Sequence, residues 1–245
     1  MVGAAALAAG AVNALAGGGT LITFPALTAV GVPALNANIT NTVALSPGYV
    51  GGTIAQRADL EGQRPRVRAV AIPAIVGGLC GGALLLAVGA ATFRELVPWL
   101  ILLATILLAI DPFAKRWVRS RLAHPHGHGN LPLTSLVAFV GAVYGGFFGA
   151  GLGIVLLALY SLVIPDTLIR INALKQATSF VANVTAALFF VFSGKVVWEA
   201  ALVMAVGALI GGVVAGRLVR FIHPTALRIT VVVIGLVVAA VYFIK

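Results

Sequence analysis

The stretch GAVYGGFFGAGLGIVLLAL, residues 141–159, decides the fold. It is apolar along its length, yet glycines recur through most of it. Glycine enters non-helical backbone conformations at little steric cost, so the run reads as a membrane segment whose helix stops and starts again. The helix that resumes presents its first N–H groups and the positive end of its dipole. At membrane depth such an end suits an anion. The same glycines also suit close helix packing through small residues. Both readings stand at this point.

The rest of the chain is of the same kind. Of 245 residues, 61% are hydrophobic and 9% charged, where a soluble domain carries roughly a quarter charged. Several segments reach the ~20 apolar residues of a spanning helix. The class expected is a polytopic membrane protein, multi-pass in the cytoplasmic (inner) membrane. Met1 is followed by VGAAALAAGAV with no basic leader, which argues against a removed signal peptide.

The formal charge of +10 does not point to nucleic acid. Arg57, Arg64, Arg66 and Arg68 share one short loop in this reading. Lys115, Arg116, Arg119 and Arg121 share a second, and Arg217, Arg220 and Arg228 flank a third. Basic clusters in short loops between apolar segments are the positive-inside signal. Cys80 reads as a small packing residue, HPHGHG (124–129) as a solvated loop, and His223 as a loop residue. G-x-S-x-G, H-E-x-x-H and G-x-x-x-x-G-K-[ST] are missing, so neither an intramembrane protease nor a P-loop ATPase has support; no enzyme, catalytic residue, cofactor or metal is expected.

The polar stretch 111–132 divides the chain into a first transmembrane repeat (1–112), a basic cytoplasmic linker (113–131) and a second repeat (132–245). A shift of 134 brings Asn38 onto Asn172, Asn41 onto Lys175, Gly77 and Gly78 onto Gly211 and Gly212, Gly82 onto Gly216, and Arg94 onto Arg228. A shift of 132 brings Gly17 and Gly19 onto Gly149 and Gly151. The reading is an internal duplication. Helices are expected at 37–56, 69–90 and 94–110 after an interrupted 1–30. In the second half they are expected at 168–193, 197–219 and 226–244 after an interrupted 132–163. Pro25, Pro33, Pro47 and Pro165 mark breaks or boundaries. If each interrupted segment crosses once, the repeats are parallel and the Arg217–Arg228 loop lies outside. If it goes in and back, the repeats are inverted and all three basic loops are cytoplasmic. The inverted arrangement is the one expected.

A polar constellation follows each glycine break. NANITNTVALSPGY (36–49) carries Asn38, Asn41 and Thr42; INALKQATSFVANVT (171–185) carries Asn172, Lys175, Gln176, Ser179 and Asn183. Asn172, Lys175, Ser179 and Asn183 form one helical stripe, which in lipid should face protein or water. Lys175 is about 10 Å into its helix at ~1.5 Å per residue, so its stem can also snorkel back to the interface. The six acids, Asp59, Glu61, Glu95, Asp111, Asp166 and Glu199, read as lying at segment ends or in loops. A buried cation without a buried acid takes its counter-ion from elsewhere, and an anionic substrate supplies one.

AGGGTLITFPAL, GVPALNANITNTVAL and GGLCGG, with GGFFGAGLG and INALKQATSF in the second half, resemble the sulfite exporter TauE/SafE family, also called the toluene sulfonate uptake permeases. The resemblance covers nearly the whole chain. It implies a secondary transporter of small sulfur anions such as sulfite, sulfonates or sulfoacetate, running as importer or exporter. The expected fold is all-α, in two homologous halves with glycine-broken helices and the substrate between them. From the first half the expected binding residues are Asn13, Gly17, Gly18, Gly19, Thr20, Asn38, Asn41 and Thr42. From the second they are Gly149, Gly151, Gly153, Asn172, Lys175, Gln176 and Ser179. The partners are the anion, the bilayer and, for assembly, a second copy in a homodimer. A membrane scaffold or subunit, or an anion channel, stands as the alternative.

Overall fold

A computed structural model describes residues 1–15, 18–121, 130–218 and 224–244. The described residues form helices joined by short turns, with no strand among them. In order they form α1 (Val2–Leu15), α2 (Thr20–Ala29), α3 (Ala34–Ala55), a 3-10 turn (Arg57–Leu60) and α4 (Arg64–Arg121). Then come α5 (Leu131–Phe147), α6 (Leu152–Val163), α7 (Leu168–Val191), α8 (Trp198–Leu218) and α9 (Pro224–Ile244). The stretch of α4 from Arg64 to Phe113 and the whole of α7 are long and apolar enough to cross a membrane. Gly17, the HPHGHG stretch, Arg220 and His223 lie outside the described residues.

Local chemistry sets several ends. Asn130 accepts the Leu133 N–H (3.1 Å) at the start of α5, with Pro132 in the first turn. Thr167 caps α7 by accepting the Arg170 N–H. α4 is two arms meeting at Gly89, whose φ of 76° and ψ of 174° leave the helical region. No atom stands within 4 Å of a Cβ placed there, so backbone geometry rather than crowding makes this a glycine position.

Several boundaries differ from expectation. Pro25 sits inside α2 and Pro47 inside α3. One missing N–H does not by itself end a packed helix; Thr42 and Ser46 also donate to the carbonyls of Asn38 (3.1 Å) and Thr42 (2.7 Å) within α3. Arg64, Arg66 and Arg68 begin α4 instead of lying in a loop, and the far arm runs through Arg121, past the expected 110. Asp111 is therefore inside a helix, buried, and accepts from Arg228 at 3.1 Å. It lies 22 residues beyond the Gly89 bend, about 33 Å at ~1.5 Å per residue.

Packing exchanges elements between the two ends of the sequence. α1 lies against α8, and α5 against the first arm of α4. The contacts are backbone-close: a Cβ on Gly211 would stand 2.0 Å from the Leu7 carbonyl oxygen, and one on Gly77 2.6 Å from that of Phe139. α3 and α7 pack on each other at the centre. Phe148, between α5 and α6, meets Phe24 of α2 edge-on with centroids 6.0 Å apart, and Phe147 meets Phe93 of α4 likewise at 6.0 Å. Phe24, Phe93 and Phe148 are buried and Phe147 half-buried, and these ring contacts hold the α5–α6 turn in the core.

Candidate functional site

The sequence-derived residues gather at two turns. At the first, the chain passes through Gly18 at φ 93° before α2 begins. Asn13 Oδ1 accepts the Gly19 N–H at 2.8 Å. Asn41 Nδ2 donates to Thr20 Oγ1 (3.2 Å), and Thr23 Oγ1 donates back to Asn41 Oδ1. This helix end is occupied by the protein's own side chains.

The second turn, between α5 and α6, passes through Gly149 and Gly151, both at φ 77°. In that left-handed region a Cβ is strained, so both glycines are required by the path. No side-chain hydrogen bond from Gly151 caps α6. The residue 132 places after Asn13 is Gly145, which has no side chain to repeat Asn13's bond. Lys175 reaches in from α7: its Nζ lies 3.5 Å from where a Cβ on Gly153, in the first turn of α6, would be. Its ammonium is thus set beside a helix N-terminus, where a positive dipole end and a fixed cation both favour an anion.

Asn38 crosses from α3 to the same turn and donates from Nδ2 to the Phe147 carbonyl at 2.9 Å. The Asn38 Oδ1 and, on α7, the Ser179 Oγ are buried without a hydrogen-bond partner. Asn183 brings its Oδ1 to 3.8 Å from a Cβ position on Gly149, while its Nδ2 donates to the Ser179 carbonyl (2.8 Å). Thr42 is one turn from Asn38 and bonded to its carbonyl. Asn172 is drawn elsewhere, donating to Gln56 Oε1 at 2.7 Å, and Gln176 is half-buried one residue beyond Lys175. The polar stripe on α7 is therefore divided between neighbours.

Sequence reasoning missed a polar cluster at the α3–α4 corner. Buried Arg66 donates to Asp166, which also accepts from Arg170 at 3.0 Å, and Gln63 Nε2 donates to the Arg170 carbonyl at 3.0 Å. Burial pulls the Asp166 carboxyl toward a higher pKa, but hydrogen bonds from Arg66, the Thr167 N–H and Arg170 outweigh it and hold the group below its ordinary value. The spacing of Asp166 and Arg170 signals their local pair. Nothing local signals Arg66, 100 residues away.

A bundle of apolar helices with buried polar side chains at its turns fits a membrane protein. The chain belongs to the sulfite exporter TauE/SafE family, whose model matches residues 2–242. It is 27% identical over 239 residues to "Probable membrane transporter protein YfcA" of Escherichia coli (strain K12), covering 96% of this chain and 86% of that one. A "Probable membrane transporter protein" of Haemophilus influenzae is 25% identical over 230 residues (94% and 88%). "Probable membrane transporter protein ORF9" of Sinorhizobium sp is 26% identical over 217 (87% and 80%). No solved structure matches the chain. Family and relatives support a membrane transporter, and these relatives are named as transporters rather than enzymes.

Proposed function

We propose that the protein is a secondary transporter of small anions, sulfur-containing ones first, and that it takes its substrate at the N-terminus of α6. The observation that carries this is Lys175 Nζ beside Gly153 in the first turn of a helix that Gly151 leaves without a side-chain cap. The difference from α2, where Asn13 Oδ1 already takes the Gly19 N–H and, among the described residues, no lysine stands beside the first turn, favours one substrate per chain at the second turn. Lys175 supplies the fixed charge and α6 the N–H donors.

Two homologous halves across the cytoplasmic membrane complete the proposal. α1, α2, α3 and the two arms of α4 run in the same order as α5 to α9. The Gly211–Leu7 contact becomes Gly77–Phe139 when Gly211 is moved by 134 and Leu7 by 132. Charge supports inversion. The α3–α4 corner carries Arg57, Arg64, Arg66 and Arg68, whereas its counterpart between α7 and α8 carries Lys195 and Glu199. Opposite membrane faces account for that difference; one shared face does not.

Uptake of labelled sulfite, sulfonates and carboxylates into proteoliposomes tests the reading. Saturable flux of a sulfur anion is the expected result. Flux of cations alone would overturn it, unsaturable flux would make the protein a channel, and no flux with any anion would leave a scaffold.

A further inference from the structure

The α5–α6 turn has two chemically opposite sides. The N-terminus of α6 offers donors and positive potential. The end of α5 offers acceptors: its last carbonyls carry the negative end of that helix's dipole. Asn38 adds an acceptor on the same side. Its Nδ2 is committed to the Phe147 carbonyl at 2.9 Å, which fixes the carboxamide orientation and leaves Oδ1 buried without a donor. Asn38 is fully buried in the core. A second carboxamide oxygen, Asn183 Oδ1, faces Gly149 in the same turn. An unsatisfied buried acceptor beside a carbonyl end destabilises the fold, and the nearby Asn183 Nδ2 is spent on the Ser179 carbonyl.

We propose that the α5 side of this turn is a binding site for an alkali cation, sodium in the first place, held by Asn38 Oδ1, Asn183 Oδ1 and carbonyls at the end of α5. A bare cation satisfies several acceptors at once, and sites of neutral oxygens at the C-terminal ends of broken helices suit sodium. A proton does not serve. Carboxamides do not titrate, and among the described residues the turn is lined by no carboxylate or histidine. The inference rests on the anion reading for its consequence: a cation on the α5 side and an anion on the α6 side of one turn attract each other, so the two are carried together. The anion also offsets the repulsion between the incoming cation and the Lys175 ammonium. Binding is cooperative, and by linkage each ligand raises the affinity of the other by the same factor.

The test is thermal unfolding of the purified protein in sodium, lithium, potassium or choline chloride at constant chloride, without substrate, followed by labelled-sulfite binding in sodium and in choline. The expected result is a melting temperature that rises with sodium and not with choline, and sulfite affinity at least about tenfold higher in sodium, a coupling within the usual range. Asn38→Leu should abolish the sodium response. Asn38→Asp should steepen it, because a carboxylate facing the Phe147 carbonyl needs a cation between them; this variant keeps the test decisive if Asn38→Leu fails to fold. Equal stabilisation by choline and sodium, or a sodium response surviving in Asn38→Leu, overturns the cation site. Sulfite bound equally in choline and sodium also overturns it and leaves the anion site standing. A sodium response with no sulfite binding does the reverse, supporting the cation site and removing the anion.

Discussion

The Arg170 guanidinium of α7 donates to the Glu61 carbonyl at 3.0 Å, tying the start of α7 to the corner between α3 and α4. Subtracting 134 from 170 gives Asn36, and adding 134 to 61 gives Lys195. Asn36 Nδ2 donates to the Lys195 carbonyl at 2.9 Å. Two bonds of the same kind, made reciprocally, are what the proposed duplication requires. They differ in chemistry. The Arg170 corner is ionic, through Asp166 and Arg66, while the Asn36 corner is neutral and is completed by the Val197 N–H donating to Thr40 Oγ1 at 3.0 Å.

The ionic corner should dominate stability. Asp166→Asn leaves buried Arg66 without its counter-charge, and breaking a buried pair in this way costs about 3–5 kcal/mol. The Asp166 carboxyl is held below its ordinary value of 3.8. Its contribution is therefore fully present above that value and lost as pH falls through the lower, folded-state value. Thermal unfolding of both proteins from about pH 7 down to about pH 3 should show a constant gap that narrows only at the acid end. A gap that closes near neutrality would contradict the assignment.

Close backbone approach makes Gly211 and Gly77 intolerant. Gly211→Val and Gly77→Val must each push a helix pair apart, at about 1–3 kcal/mol or more apiece by the usual scale of overpacking. Gly48 is the control. It is helical, with no atom within 4 Å of a Cβ, so Gly48→Ala should be neutral or stabilising by up to about 1 kcal/mol. Melting temperatures of the three variants decide the matter, and an unaffected Gly211→Val would mean the α1–α8 contact is looser than described.

Lys175→Met should nearly abolish anion binding, because it removes the fixed charge beside Gly153. Lys175→Arg should also impair it, since a planar guanidinium does not replace a compact ammonium beside Gly153. Anion affinity of the three proteins at matched folding is the measurement. Wild-type affinity in Lys175→Met would return this lysine to the membrane interface.

Asn13→Ala separates the two turns. It removes the bond to the Gly19 N–H and should cost about 1 kcal/mol, as other lost helix caps do. Anion affinity should not change, because the anion sits at α6. A tenfold loss in binding titrations would move the substrate to α2.

Much of this was legible in the sequence, for reasons that show where the limit falls. Glycines at 149 and 151 declare a turn because their left-handed φ is a local property. Lys175 and Ser179 declare a polar face because four residues make one helical turn. Partner choice is not local. Asn172 shares the stripe with Lys175, yet it bonds Gln56, 116 residues earlier, because α3 rather than α6 stands against that part of α7. Arg66 read as one more loop arginine until Asp166, from the far side of the fold, turned it inward. Pro47 read as a boundary because its missing N–H is a local signal, whereas the packing that keeps α3 helical around it is not.

The pairing of α1 with α8 has a consequence for how the chain is made. A Cβ on Gly10 would stand 2.1 Å from the Ala208 carbonyl oxygen, so the two helices seat against each other backbone to backbone. Roughly 200 residues of synthesis separate them. At about 5–20 residues per second α1 waits on the order of 10–40 s for the surface it is shaped to meet. Insertion machinery or lipid must hold it through that interval, so α1 emerges ahead of α8 yet takes its final seat only once α8 arrives.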